Sequence, residues 1–175
     1  RGKGSLTYRV RRRAFRYLIN YPPLSHQGPA IITQLINSPA HTAPLAEIKI
    51  QESTFIVPAA DGLYEKQEIF VGKRPENRKA EKGDIVALRD IPQGTKVFNI
   101  EKVPGRGGVF LRTAGNSGIV MNKVNGRVEL IIKRRVLNVH EDSRAILGVA
   151  AGDGRILKPL VKAGKNFYRM KAIGR

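Results

Sequence analysis

Four groups of residues in this chain have types and spacings suited to chemistry, and all four are cationic or glycine-rich. Arg1, Lys3, Arg11, Arg12, Arg13 and Arg16 crowd the start, with Tyr8, Phe15 and Tyr17 between them. Gly105-Arg106-Gly107-Gly108 is a glycine-rich loop with one cation, followed shortly by Arg112. Lys133-Arg134-Arg135 interrupts an apolar run. Gly152-Asp153-Gly154-Arg155 leads into Lys158, Lys162 and Lys165, spaced three or four residues apart. The chemistry these groups share is the neutralisation of phosphate. Arginine clamps a phosphate bidentately or stacks on a base, lysine acts as a point charge, and glycine lets backbone come close to another surface. Gly105, Gly107, Gly152 and Gly154 are accordingly expected at close backbone approaches to a polyanion.

The distribution of charge supports this reading. No acidic residue precedes Glu47 and none follows Asp153, so 14 of the 18 net positive charges lie in the two flanking segments. Segregation of this kind suits a polyanionic partner, which gains by releasing counterions. Other chemistries lack their residues. There is no cysteine, and His26, His41 and His140 are far apart, which leaves neither a thiol nucleophile nor a metal-ligand spacing. The glycine-rich loop lacks the Lys-Ser/Thr ending of a nucleotide-binding loop and precedes a strand. The 14 carboxylates look scattered among charged loops, with Glu141-Asp142 as a surface turn. No apolar run is long enough to span a membrane. The reading is of a non-catalytic protein that binds a nucleic acid, RNA being expected, and that has no cofactors beyond structural Mg ions the RNA would hold.

The elements that must position these groups are mostly strands. Short β-branched runs cover residues 30–36, 43–50, 53–57, 66–71, 85–88, 96–101, 109–112, 118–121 and 128–139. Asn125-Gly126 is the clearest two-residue hairpin signal. Lys133 and Arg135, read as strand residues, would share one face. Residues 144–147 read as a helical turn. Pro159 and Gly164 argue for an extended C-terminal arm rather than a helix. About ten short strands exceed one five-stranded barrel, which gives two small barrels in tandem with a junction near Asp90; a single larger sandwich is the alternative.

Several stretches resemble one known family, ribosomal protein two of the large subunit in its archaeal and eukaryotic form. They are Arg1-Gly2-Lys3-Gly4-Ser5, then Asp90 to Glu101 with Pro104-Gly105, Arg112-Thr113-Ala114-Gly115-Asn116, and, most specifically, Arg144 to Arg155 with Lys158 to Gly164. Met170-Lys171-Ala172 is similar to the archaeal and eukaryotic ending. The resemblance implies a mainly β fold: a basic arm over 1–28, an OB-type barrel over 29–89, an SH3-like barrel over 90–148 and a basic extension over 149–175. It implies a further Gly- and His-rich tail that this sequence does not include. It also implies binding of large-subunit rRNA near the peptidyl-transferase region, contacts with neighbouring ribosomal proteins, no membrane or homo-oligomer, and a cytoplasmic ribosome. Ile131-Ile132-Lys133 stands where the family has a Pro-Ser-Gly-like turn, so that hairpin is expected to be reshaped. A free OB-type binder of single strands is the main rival, and it would need a row of exposed aromatics. Phe55, Phe70, Phe98 and Phe110 are instead expected in the core. An RNA-modifying enzyme is the second rival, without a pocket or acid–base pair to support it.

Overall fold

The computed structural model describes residues 12–73 and 80–173; Arg1, Lys3 and Arg11 lie outside this range. The β-branched runs form twelve strands. These are β1 (Gly28–Ile36), β2 (Leu45–Ile50), β3 (Ser53–Pro58), β4 (Glu68–Val71), β5 (Ile85–Ala87), β6 (Lys96–Phe98), β7 (Ile100–Glu101), β8 (Gly108–Phe110), β9 (Gly118–Val124), β10 (Arg127–Ile132), β11 (Arg135–His140) and β12 (Arg144–Leu147). One helix, α1 (Ala163–Ile173), follows. Ten strands make one sheet in the order β11-β10-β9-β6-β12-β5-β4-β1-β2-β3, and β7 pairs with β8 separately.

Two buried clusters sit on this sheet. Ala30, Ile32, Ile48, Ile50, Ile69 and Val71 belong to the first. Val97, Val120, Val128, Leu130 and Val139 belong to the second. The central strands serve both, because side chains alternate across a strand. Ile85, Phe98 and Ile146 enter the first cluster, while their neighbours Val86, Val97, Ala145 and Leu147 enter the second. Arg144–Leu147 is therefore a strand and not the expected helical turn. It lies between β5 and β6 and is buried along its whole length. A short apolar run buried on both faces has no alternation, so periodicity cannot tell it from a helical turn. The expected junction at Asp90 falls in a 3-10 turn, Leu88–Asp90, and the sheet continues across it through the β12–β5 pairing.

Two further expectations are corrected by local geometry. The run 96–101 breaks at Asn99, whose φ of 50° ends β6 and lets β7 leave for another sheet. Lys133 and Arg135 do not share a strand face. Ile132 pairs with Arg135, so Lys133 and Arg134 form the hairpin turn, with Lys133 at φ 56°. The reshaped hairpin is therefore a tight two-residue turn, and Lys133 and Arg134 are exposed at its tip rather than lining a strand face. Asn125 and Gly126 make the expected turn, both with positive φ.

Candidate nucleic-acid interface

The glycine-rich loop holds an anion, and the anion is internal. Glu101, fully buried at the end of β7, accepts the backbone N–H of Gly105 (3.2 Å) and of Gly107 (3.0 Å). It also accepts the backbone N–H of Arg144 (2.9 Å) and that residue's guanidinium Nη2 (2.8 Å) and Nε (3.2 Å). Arg144 in turn donates Nη1 to the carbonyl of Pro22 (2.6 Å) and lies 5.0 Å from the centre of the Tyr21 ring. Tyr21 donates its hydroxyl to the Asn99 carbonyl (2.5 Å). Burial, and then the charge of Glu101, push the Tyr21 hydroxyl pKa well above its ordinary value. The amides of Gly105 and Gly107 are thus engaged inside the protein and do not face a polyanion as expected. A carboxylate accepting several N–H groups satisfies them better than an exposed phosphate, because burial strengthens each bond. Arg106 is the one side chain of this loop that stays exposed. Nor are the carboxylates all at the surface: Asp84, in the loop before β5, is also buried, accepting the amides of Phe70 (2.9 Å) and Glu81 (3.1 Å).

A second cluster faces outward. Arg112 follows β8 and is half-buried beside His41 and Tyr21, and among the described residues no carboxylate pairs with it. Burial lowers its pKa from the ordinary guanidinium value. His41 is held by Ser38 Oγ at 2.8 Å from its Nδ1, and the ring of Phe15 meets it edge-on at 5.9 Å. The arm segment Arg12–Arg16 is thereby brought to the same place as Arg112. The 3-10 turn Arg12–Ala14 closes with a bond from Phe15 N–H to the Arg12 carbonyl (3.0 Å). Beside His41 a groove of about 620 Å³ is lined by Asn37, Ser38, Pro39, His41, Thr42, Gly152, Gly154 and Lys158. Lys133 and Arg135, at the hairpin end, are exposed and are not among the residues that line the groove.

Gly152 carries an internal constraint. Its φ is 89°, and a Cβ there would lie 3.2 Å from Pro44 and 3.4 Å from Ala114. The small residues Ala150-Ala151 pass through the same seam. Ala151 N–H reaches the Ala59 carbonyl (2.9 Å), and Gly115 N–H reaches the Ala150 carbonyl (2.8 Å). The glycine lets the chain leave the body here. Its close approach within the protein is to the loops that carry Thr42, Pro44 and Ala114. Gly154 has open space where a Cβ would be.

The C-terminal extension is not extended. A 3-10 turn over Asp153–Leu157 is followed by α1. Pro159 precedes the helix and Gly164 sits in its first turn, where unpaired backbone N–H groups reduce the cost of a poor helix former. Lys165 lies in α1 and Lys162 just before it; Lys158, Lys162, Lys165, Arg169 and Lys171 are exposed. Of the expected groups, Lys158 lines the groove, Arg112 lies near His41, and the arm reaches His41 through Phe15. Arg106, Lys162 and Lys165 stand elsewhere. The side chain of Arg155 is not among those described.

Sequence reasoning missed Glu101 and Arg144 as a pair and His41 as a groove residue. Nothing in a linear sequence joins residues 43 positions apart, and a lone histidine has no spacing to read. The pKa of His41 is lowered from its ordinary ~6.5 by burial and by the charge of Arg112. The folded state then binds fewer protons than the unfolded state below that value. The His41 contribution to stability is present above ~6.5 and is lost as pH falls through the lower folded value. His41→Gln is expected to flatten the fall in melting temperature between neutral and mildly acidic pH. An unaltered profile would mean that His41 does not titrate against Arg112.

Fold and site together define a basic β-scaffold with cationic extensions. Residues 81–174 match the family described as Ribosomal Proteins L2, C-terminal domain. Large ribosomal subunit protein uL2 of Pyrobaculum neutrophilum is 38% identical over 176 residues, covering 98% of this chain and 71% of its own length. The proteins of the same name from Desulfurococcus amylolyticus and Sulfurisphaera tokodaii are 36% and 37% identical, over 100% and 97% of this chain and 74% and 71% of their own lengths. The chain belongs to the ribosomal protein L2 family, whose members are structural components of the large ribosomal subunit and not enzymes.

Proposed function

We propose that this protein binds and stabilises large-subunit rRNA near the peptidyl-transferase region, in a cytoplasmic ribosome and beside other ribosomal proteins. The OB-type half over 29–89 and the SH3-like half over 90–148 form the scaffold for two basic extensions. The observation that carries the reading is α1. It has no acidic residue in its first turn, and every residue from Ala163 to Lys171 is exposed. Phe167 and Tyr168 are both well exposed. A helix of 11 residues with no face against the body is marginal in water. A phosphate surface supplies what it lacks, by neutralising its cations and covering its aromatics. The effect on translation is indirect: neutralised phosphates let RNA helices pack, and packed RNA positions the catalytic centre.

The single-strand rival finds no support in the sheet. Phe98 is fully buried and Phe55, Phe70 and Phe110 are partly buried; of the exposed rings, Phe15, Phe167 and Tyr168 lie on the extensions and Tyr64 stands in a turn, not in a row on the sheet. Phosphate contacts are expected to outnumber base contacts. Lys162→Ala should weaken binding to large-subunit rRNA evenly across sequences and reduce the slope of log affinity against log salt by up to about one. A slope equal to that of the unaltered protein would remove Lys162 from the phosphate contacts.

A further inference from the structure

We propose that the groove between the Asn37–Thr42 turn and the Gly152–Lys158 segment takes one unstacked nucleotide of RNA, its base against His41 and Phe15 and its phosphate on Lys158 and Arg112. This inference rests on the rRNA-binding reading and gives one place on the surface a more specific task.

The groove differs from the remaining basic surface in three respects. It is a recess of about 620 Å³ with mixed lining, where a backbone phosphate alone needs only convergent donors on an open face. Its lining joins groups that recognise a base to groups that recognise a phosphate. Unstacked RNA bases are held against aromatic rings and by hydrogen bonds to their edges. Here His41 is fixed by Ser38 and buttressed edge-on by Phe15, which is itself half exposed. The exposed side-chain amide of Asn37, a donor and acceptor both, stands on the same wall. Lys158 also lines the groove, and the half-buried guanidinium of Arg112 lies near His41 without a carboxylate partner among the described residues. Finally, Gly154 leaves its wall open, with nothing within 4 Å of where a side chain would begin.

The electrostatics agree with this. Burial and Arg112 both favour the neutral imidazole of His41. A neutral ring is less strongly hydrated than a cation and offers its face to a base. The cationic task falls to Lys158, which lines the groove, and to Arg112 near His41. Asp153 is the one carboxylate of the neighbouring turn. Its Cβ lies 2.6 Å from where a Cβ of Gly115 would be, and it is not among the residues that line the groove.

The test uses the full chain and two RNA hairpins of equal length. One carries a single bulged nucleotide replaced by a fluorescent adenine analogue; the other is fully paired. The ratio of their affinities is the readout, because general phosphate binding cancels in it. The unaltered protein is expected to bind the bulged hairpin about tenfold more tightly, within the range found for stacking one base on a protein ring, and to change the analogue's fluorescence. Phe15→Ala combined with His41→Ala should bring the ratio to about one. Asn37→Ala, at an exposed side chain that the fold does not need, should lower the ratio on its own. Equal affinities for the two hairpins in the unaltered protein would overturn the inference and leave the rRNA reading standing, as would a ratio that survives all three substitutions. Failure to bind either hairpin or rRNA would overturn both.

Discussion

Glu101→Ala is expected to lower the stability of this protein more than any change at an exposed charge. The carboxylate is fully buried and accepts five hydrogen bonds, two from Gly105 and Gly107 and three from Arg144. Removing it leaves the Arg144 guanidinium buried and uncompensated. Breaking one side of a buried ion pair costs about 3–5 kcal/mol, which is roughly 6–20 °C in melting temperature for a chain of this size. The damage extends to the arm, because Arg144 also holds Pro22 and lies over Tyr21. Arg89→Ala is the comparison. Its pair with Asp142 is just as short, at 2.7 Å, but about half exposed, and such pairs contribute up to about 1 kcal/mol. Thermal unfolding of both variants decides the matter. Equal losses would show that the Glu101 cluster is not the clamp described here.

Gly152→Val is the second large effect, and it acts through the fold. The position has φ 89°, in the region β-branched residues avoid, and its Cβ would press on Pro44 and Ala114. The strain alone is of order 1–3 kcal/mol, and the contacts add to it. The seam joining Ala150-Ala151 to Ala59 and Gly115 should loosen, freeing the C-terminal extension. A drop in melting temperature and faster proteolysis after residue 150 are the expected results. Gly154→Ala, two residues on and in open space, should leave the stability within about 0.5 kcal/mol of the unaltered protein, as surface changes usually do, and the melting temperature nearly unchanged. Equal melting temperatures for Gly152→Val and Gly154→Ala would place the need for Gly152 outside the protein.

The fold was legible in the sequence wherever a strand had one buried face. In β2, Ala46, Ile48 and Ile50 are buried on one face, while Glu47 and Lys49 on the other are partly or fully exposed, a pattern the residues show directly. Legibility failed where a strand had two. β12 is buried throughout because two cores share it, a fact set by the whole sheet. Backbone exceptions were also hidden. Asn99 and Lys133 take positive φ without being glycine, and their positions redirect β7 and convert a supposed basic strand into a turn. At the site, composition pointed to the arm, to Arg112 and to the lysines of the extension. It could not show that Gly105 and Gly107 enclose Glu101, because the carboxylate and its arginine meet only after β7 and β12 have been placed. The expectation of an extended tail failed for a simpler reason. Pro159 and Gly164 lie before and at the very start of α1, where neither breaks it.

The central claim, that the exposed cations of the arm, the groove and α1 are seated in folded rRNA, is tested most directly by sedimentation. Native extract from the source cells is separated on sucrose gradients at low and at high salt, and each fraction is probed for this chain. Surface-bound basic proteins lose affinity steeply with salt, whereas extensions enclosed by RNA are retained by the fold around them. The account predicts that the chain travels with the large subunit and stays there at high salt. A chain found free of the subunit, or released from it by salt alone, would contradict it.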